Sequence, residues 1–491
     1  MSAALCAILL GVPALATALC AFVRARRVLE IVSVTGAGLT FAAALALTGE
    51  VAAGPVAFTG WWFADALSAY VASVVTGSAL VVALYSVGYL RRQLQRRHAD
   101  ARQLWLFYLL LNAFLCTMMV VLLANNMGVL WIGTEATTLA TAFLVAFYNR
   151  EASIEAAWKY VIICSVGIAL ALFGVILTYY SALHVIGQSA GALNWTSLMA
   201  AARRLDPGVL KLAFVFIVVG FGTKAGLAPM HTWKPDAYGE APAPVSALMA
   251  AGLVNVALYA LMRFYALVNA AVGGSFAPAL FVVFGLVSMG VAAPFMVVQR
   301  DFKRLLAYSS VEHVGIIVFG LGIGTPMALF GALLHMLNNA LAKTLLFLAG
   351  GNIRIAYNTK LIRKVRGAIR VVPVSAAFLL VGAFAVTGWP PFGVFVSEFT
   401  IAGASFASGN ALPALCFIAL LTVIFGGFIY YISGMVFGEP QTAAEGGEAR
   451  TGTLLLLGGL VAALLVLGVA IPAALREGIL NAAGVLKGGL P

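Results

Sequence analysis

Four ionisable residues lie inside long apolar runs: Glu135 in LWIGTEATTLATAF, Lys224 in GFGTKAG, Lys343 in LLHMLNNALAKTLLF and Glu398 in GVFVSEF. In chain order they read acid, base, base, acid. A charge in the middle of an apolar helix costs about 2.5–3.5 kcal/mol on membrane-insertion scales, so each must be locked in a structural pair or put to use. Spacing favours use. His335, Asn339 and Lys343 stand four residues apart, which puts them on one helix face over about 12 Å at 1.5 Å per residue. Such a stripe can order water. A buried lysine suits proton carriage, because burial weakens its hold on the proton and a nearby carboxylate strengthens it again. Glu135 is the carboxylate expected to pair with Lys224. Glu312 and His313, in LLAYSSVEHVGII, are expected on the same wet axis. His231, Lys234, Asp236 and Glu240, in HTWKPDAYGE, lack the paired-His spacing of a metal site and read as a loop bearing a proton inlet.

The elements that must hold these residues follow from composition. The chain has 491 residues, 63% hydrophobic and only 9% charged, against about 25% charged in an ordinary soluble domain. A soluble fold is excluded, and runs of about 20 apolar residues match a bilayer core of about 30 Å. Such runs fall at 2–22, 31–48, 66–90, 104–124, 128–148, 158–182, 211–230, 243–268, 277–298, 303–323, 326–351, 371–404, 412–436 and 452–473. The expectation is an all-α polytopic membrane protein of about fourteen spans. The net charge of +12 is no sign of a nucleic-acid partner, because most of the 29 Lys and Arg sit in short loops on one side, which that bias marks as cytoplasmic. Both termini are then expected outside. The first run lacks the basic leader of a cleavable signal and reads as a retained span. Cys6, Cys20, Cys116, Cys164 and Cys416 form no CxxC pair, so no iron–sulfur or zinc site is expected. A haem is not expected either, since only His335 sits clearly mid-span.

Two spans carry breaks. GFGTKAGLAPMHTWKPDAYGEAPAP, with Pro229, and GAFAVTGWPPFGVFVSE, with Pro390 and Pro391, should interrupt the seventh and twelfth helices, because proline removes a donor and clashes with the preceding turn. Broken spans five apart, entering from opposite sides, suggest an inverted repeat. The expected division is an N-terminal three-helix segment over 1–102, a first five-helix repeat over 103–270, a second over 271–437, and a last span with its tail over 438–491.

LAPMHTWKPDAYGEAPAPVSALM, QRDFKRLLAYSSVEHVGII, LLHMLNNALAKTLLFLAGGNI and GWPPFGVFVSEF resemble, in that order, the antiporter-like membrane subunits shared by respiratory complex I, membrane-bound group 4 NiFe hydrogenases and Mrp-type cation/proton antiporters. WIGTEATTLATAF followed by EAAWKYVIICSVGIALALFGVIL is most similar to the F subunit of hydrogenase-4 and formate hydrogenlyase type complexes. The resemblance implies fourteen core helices with two inverted five-helix repeats. It also implies a fifth-span glutamate paired with a seventh-span lysine, here Glu135 and Lys224, a central Lys343 with His335 upstream, and an exit residue, Glu398. Lys159, His231, Asn255, Glu312, His313 and Asn339 are accessory candidates. Asn255 stands where some members carry an eighth-span lysine, and Asn339 where some have a second histidine. The chain ends soon after the fourteenth span, leaving little room for a long lateral helix.

The resemblance therefore implies a proton-translocating membrane subunit of a respiratory oxidoreductase complex, of the hydrogenase-4 or NADH:quinone oxidoreductase type, without a redox centre, cofactor or metal of its own. Its partners would be other membrane subunits and a soluble redox arm, in a bacterial cytoplasmic membrane. An Mrp-like Na⁺(K⁺)/H⁺ antiporter subunit and a non-pumping scaffold for the redox arm are the alternatives.

Overall fold

Lipid offers no partner to backbone N–H and C=O groups, so apolar runs satisfy their own by forming helices. The computed structural model describes residues 2–189, 191–439 and 447–488. Among these, thirteen helices are long and apolar enough to cross a bilayer. The first eight are Ala3–Phe22, Arg26–Val51, Ala66–Gln95, Ala101–Leu123, Met127–Val145, Glu151–Ile186, Pro207–Ala225 and Ala243–Val272. Phe276–Val297, Phe302–Ile323 and Pro326–Tyr357 follow as the ninth to eleventh, and Ala411–Phe437 and Thr451–Val469 close the series. Two shorter apolar helices, Pro373–Val386 and Gly393–Ala407, together make a broken twelfth span, giving the fourteen expected.

Both expected breaks are present. The seventh span stops at Ala225 because Gly226 takes a left-handed conformation, φ 80° and ψ 38°, the usual helix-ending move of glycine. Helix resumes as Trp233–Glu240. The twelfth stops before Gly388, at φ 68°, and resumes at Gly393 beyond the two prolines. A third irregularity was not foreseen: Met249–Leu253, inside the eighth span, is a π-helical turn ending two residues before Asn255. Such turns are frequent where helices carry functional residues.

Packing places these features at the centre. The eighth and tenth spans are wholly buried and the eleventh nearly so, whereas less than a third of the first, thirteenth and fourteenth is buried. In the first half, spans 4 and 5, 5 and 6, 6 and 7, and 4 and 8 pack together; in the second, 9 and 10, 10 and 11, 11 and 12, and 9 and 13 do the same. Small residues allow close approach. An added Cβ at Gly220 would stand 2.5 Å from Ala171, and one at Gly174 would stand 2.8 Å from the Ala213 carbonyl, so the sixth span lies directly against the seventh. The only strands among the described residues are Val56–Phe58 and Trp62–Ala64, an antiparallel hairpin pairing Val56 with Ala64 and Phe58 with Trp62. Part of the expected tail folds as a 14-residue helix, Ala473–Leu486, against the third and eleventh spans.

Candidate functional site

Lys224 sits on the last turn of the seventh span and is fully buried. Its ammonium donates to Thr138 Oγ1 at 2.5 Å and to Tyr160 OH at 3.0 Å. Thr138 in turn donates to Glu135 Oε2 at 3.2 Å, and Ser165 donates to Glu135 Oε1 at 2.8 Å. The expected Glu135–Lys224 pair is therefore bridged by a threonine hydroxyl rather than made directly. One helical turn supplies this geometry, since Glu135 and Thr138 are three residues apart on one face. Glu135 itself is only partly buried.

Lys343 is buried in the middle of the eleventh span and donates to Ser309 Oγ at 2.5 Å. Glu312, on the same tenth-span helix as Ser309, is the carboxylate whose charge acts on it. Asn339, one turn away, is buried and makes no hydrogen bond from either amide atom to the described residues. Buried polar atoms of this kind are ordinarily satisfied by internal water.

Two turns from Lys343, His335 Nε2 lies 2.8 Å from His313 Nδ1, and His335 Nδ1 lies 2.9 Å from Ser397 Oγ. The bond pattern admits two proton arrangements. With the Ser397 hydroxyl turned to Val394 O both rings donate from Nδ1, and with it turned to His335 Nδ1 both donate from Nε2. His313 Nε2 makes no hydrogen bond to the described residues. When both rings carry their hydrogen on Nδ1, a proton taken up at His313 Nε2 lets the Nδ1 hydrogen pass to His335 Nε2. Glu398 is the next titratable group. It is 7% exposed, its Oε1 has no hydrogen bond to the described residues, and a groove of about 440 Å³ between the twelfth and thirteenth spans reaches it past Trp389 and Phe395. His313, His335 and Glu398 offer ligand atoms within 4.8 Å of one another, so these three could approach a metal ion. The nitrogens that face each other are already joined by a hydrogen bond, which a metal would have to break.

The structure thus gathers Glu135 and Lys224 in one cluster, and His313, His335, Lys343, Glu312 and Glu398 along the central spans of the other half. His231 is buried beside the Tyr308 ring, and Asn255 is buried with its Nδ2 on Ala251 O. Lys159 lies apart, half exposed and paired with Glu155 and Asp236.

Residues 124–427 match the family described as NADH:quinone oxidoreductase/Mrp antiporter, transmembrane. The chain belongs to that family. A relative from Methylacidiphilum infernorum (isolate V4), a hydrogenase-4 component F homolog, is 41% identical over 359 residues, 73% of this chain and 75% of the relative. NADH-quinone oxidoreductase subunit N of Desulforudis audaxviator (strain MP104C) is 34% identical over 352 residues, 70% of this chain and 68% of that one. In fold the chain is similar to one in the Mrp complex from Dietzia sp. DQ12-45-1b, with a TM-score of 0.87 at 20% identity over 99% of this chain and 97% of that one. It is an antiporter-like membrane subunit of the kind found in respiratory complexes.

For this antiporter-like subunit, sequence reasoning missed the hydroxyl ligands Thr138, Tyr160, Ser165, Ser309 and Ser397, whose types are common in any helix. It also missed Arg263. Asp65 caps the third span, accepting from Ser68 N at 3.0 Å, and also receives a two-pronged bond from Arg263 at 2.6 and 2.7 Å. Arg263 is completed by Tyr259 and Ser68 and lies over the Trp195 ring. The signal was present, since an arginine inside an apolar span requires a partner; the partner's distance along the chain concealed it.

Proposed function

We propose that this subunit carries protons across a bacterial cytoplasmic membrane, driven by a soluble redox arm held through neighbouring membrane subunits. A proton loads at Lys224, whose charge is tuned through Thr138 by Glu135; it continues through Lys343 and the His313–His335 pair and leaves past Glu398. The single observation that carries this reading is the fully buried hydrogen-bonded chain His313–His335–Ser397, which can hold its protons in either of two directions. Each elementary charge moved against 100 mV costs about 2.3 kcal/mol, a magnitude that changing a charge's partners in a poorly hydrated site can supply. The like packing of spans 4–8 and 9–13 supports two inverted repeats over 103–270 and 271–437. The basic loops support a cytoplasmic Arg-rich face, with both termini opposite it.

In inverted membrane vesicles holding the whole complex, Lys224→Ala and Lys343→Ala should abolish acidification of the lumen while the partner's dye-linked redox activity continues. Thr138→Val, which keeps size and removes the bridging hydroxyl, should lower acidification about tenfold, the equivalent of one hydrogen bond to a charged group. Full acidification in all three variants would refute the relay. Acidification that needs added Na⁺ would point instead to cation/proton exchange.

A further inference from the structure

A gap separates the two halves of the relay. In the eighth span, Asn255 does not titrate and its Nδ2 is taken by Ala251 O. A buried ammonium from another element is bonded beside both halves. Lys234, on the short helix after the seventh-span break, is fully buried. We infer that Lys234 is the proton-carrying group that joins Lys224 to Lys343, in the position an eighth-span lysine would serve. The inference rests on the proton-relay reading above.

Its contacts reach both ends. Lys234 Nζ donates to Ala225 O at 2.8 Å, the carbonyl next in the chain to Lys224. It also donates to Ser310 O at 3.3 Å, next in the chain to Ser309, whose hydroxyl holds Lys343. Lys343 is close enough to act on it electrostatically. Lys159, Arg263, Arg304 and Lys360 each pair with a carboxylate; among the described residues, the hydrogen bonds of Lys234 go to carbonyl oxygens alone. A permanent buried charge held only by neutral acceptors is costly, whereas a group that alternates between ammonium and amine is not bound to that state. The fold also leaves it room. At Gly226 a Cβ would stand 2.8 Å from both Cδ and Nζ of Lys234, so the glycine that ends the first part of the seventh span also gives this side chain its path. Asn255 Oδ1 and both amide atoms of Asn339 are buried without hydrogen bonds to the described residues, as expected of positions that hold water for proton transfer.

The test uses the same vesicles, with Lys224→Ala and Lys343→Ala as references. Lys234→Met should lower acidification about 100-fold, the ordinary contribution of a positioned proton carrier, with redox activity retained. Lys234→Arg keeps a cation that bonds carbonyls but does not release its proton, and should fail equally. Adding Asn255→Lys to Lys234→Met should restore acidification, because it supplies a titratable amine from the eighth span. Normal acidification in Lys234→Met, or in Lys234→Arg, would overturn the inference, as would a double variant that assembles and stays inactive. If the two reference variants fail while Lys234→Met pumps normally, only the Lys234 assignment falls. If the reference variants pump, the relay reading itself falls.

Discussion

Arg263 and Asp65 show how one residue's chemistry fixes a distant element. The guanidinium is fully buried, yet all its bonds serve Asp65, Ser68 and Tyr259, so it ties the eighth span to the start of the third. The Tyr259 hydroxyl extends the tie to the fourth span through Leu122 O. Removing one partner of such a pair leaves a buried charge uncompensated, which costs about 3–5 kcal/mol. Arg263→Ala should therefore markedly reduce the amount of folded subunit in membranes and lower the unfolding temperature of the detergent-purified complex. An unchanged unfolding temperature would contradict this role. The same scale shows what sequence can convey. The His335, Asn339 and Lys343 stripe was legible because helical period is a local property. The Thr138 bridge was not, because a threonine becomes a ligand only once the seventh span brings Lys224 to it.

Among elements, the broken spans govern the candidate site. Their existence was legible from Pro229, Pro390 and Pro391, since proline acts on its own helix whatever surrounds it. The use made of each break was not. At Gly388 a Cβ would lie 2.0 Å from Glu398 Oε2, and the residue's φ of 68° favours glycine. Gly388→Ala should push the Glu398 carboxyl away from its place and strain the turn, cutting acidification at least as much as Glu398→Gln while redox activity persists. Normal acidification would show that the break tolerates a side chain. At the other broken span, the short helix Trp233–Glu240 is held at the membrane edge by Glu240, which bonds Lys360, itself 3.0 Å from Asp301. Burial favours the protonated Glu240 carboxyl, but Lys360, Lys303 and Arg354 outweigh it and hold its pKa below the ordinary value. A lowered folded-state value means the pair stabilises above the unfolded carboxylate pKa and is lost as pH falls through the folded one. The stability difference between the native chain and Glu240→Gln, read from thermal unfolding, should be full at pH 6 and shrink from about pH 4 downward. A difference independent of pH would refute the assignment.

The whole molecule has a chemically graded exterior. Much of its outward face is the apolar surface lipid requires, but Glu135 of the fifth span breaks the pattern. Glu135 is only partly buried, on a helix whose neighbouring Ile132, Leu139 and Phe143 are exposed, as are Trp158 and Ile162 of the sixth. A carboxylate against acyl chains costs about 2.5–3.5 kcal/mol, so this face is better met by protein than by lipid. Hydropathy gave the spans but no sense of which sides meet neighbours, because an apolar side chain reads alike against lipid and against another helix. A covered face would also let a neighbouring subunit reach Glu135, and through Thr138 the Lys224 ammonium, without moving any helix of this chain. A benzophenone attached at Leu139→Cys in the intact complex should, on illumination, form an adduct with another membrane subunit. Adducts with lipid alone would show that the face lies open to the bilayer and that Glu135 is tuned only from within this chain.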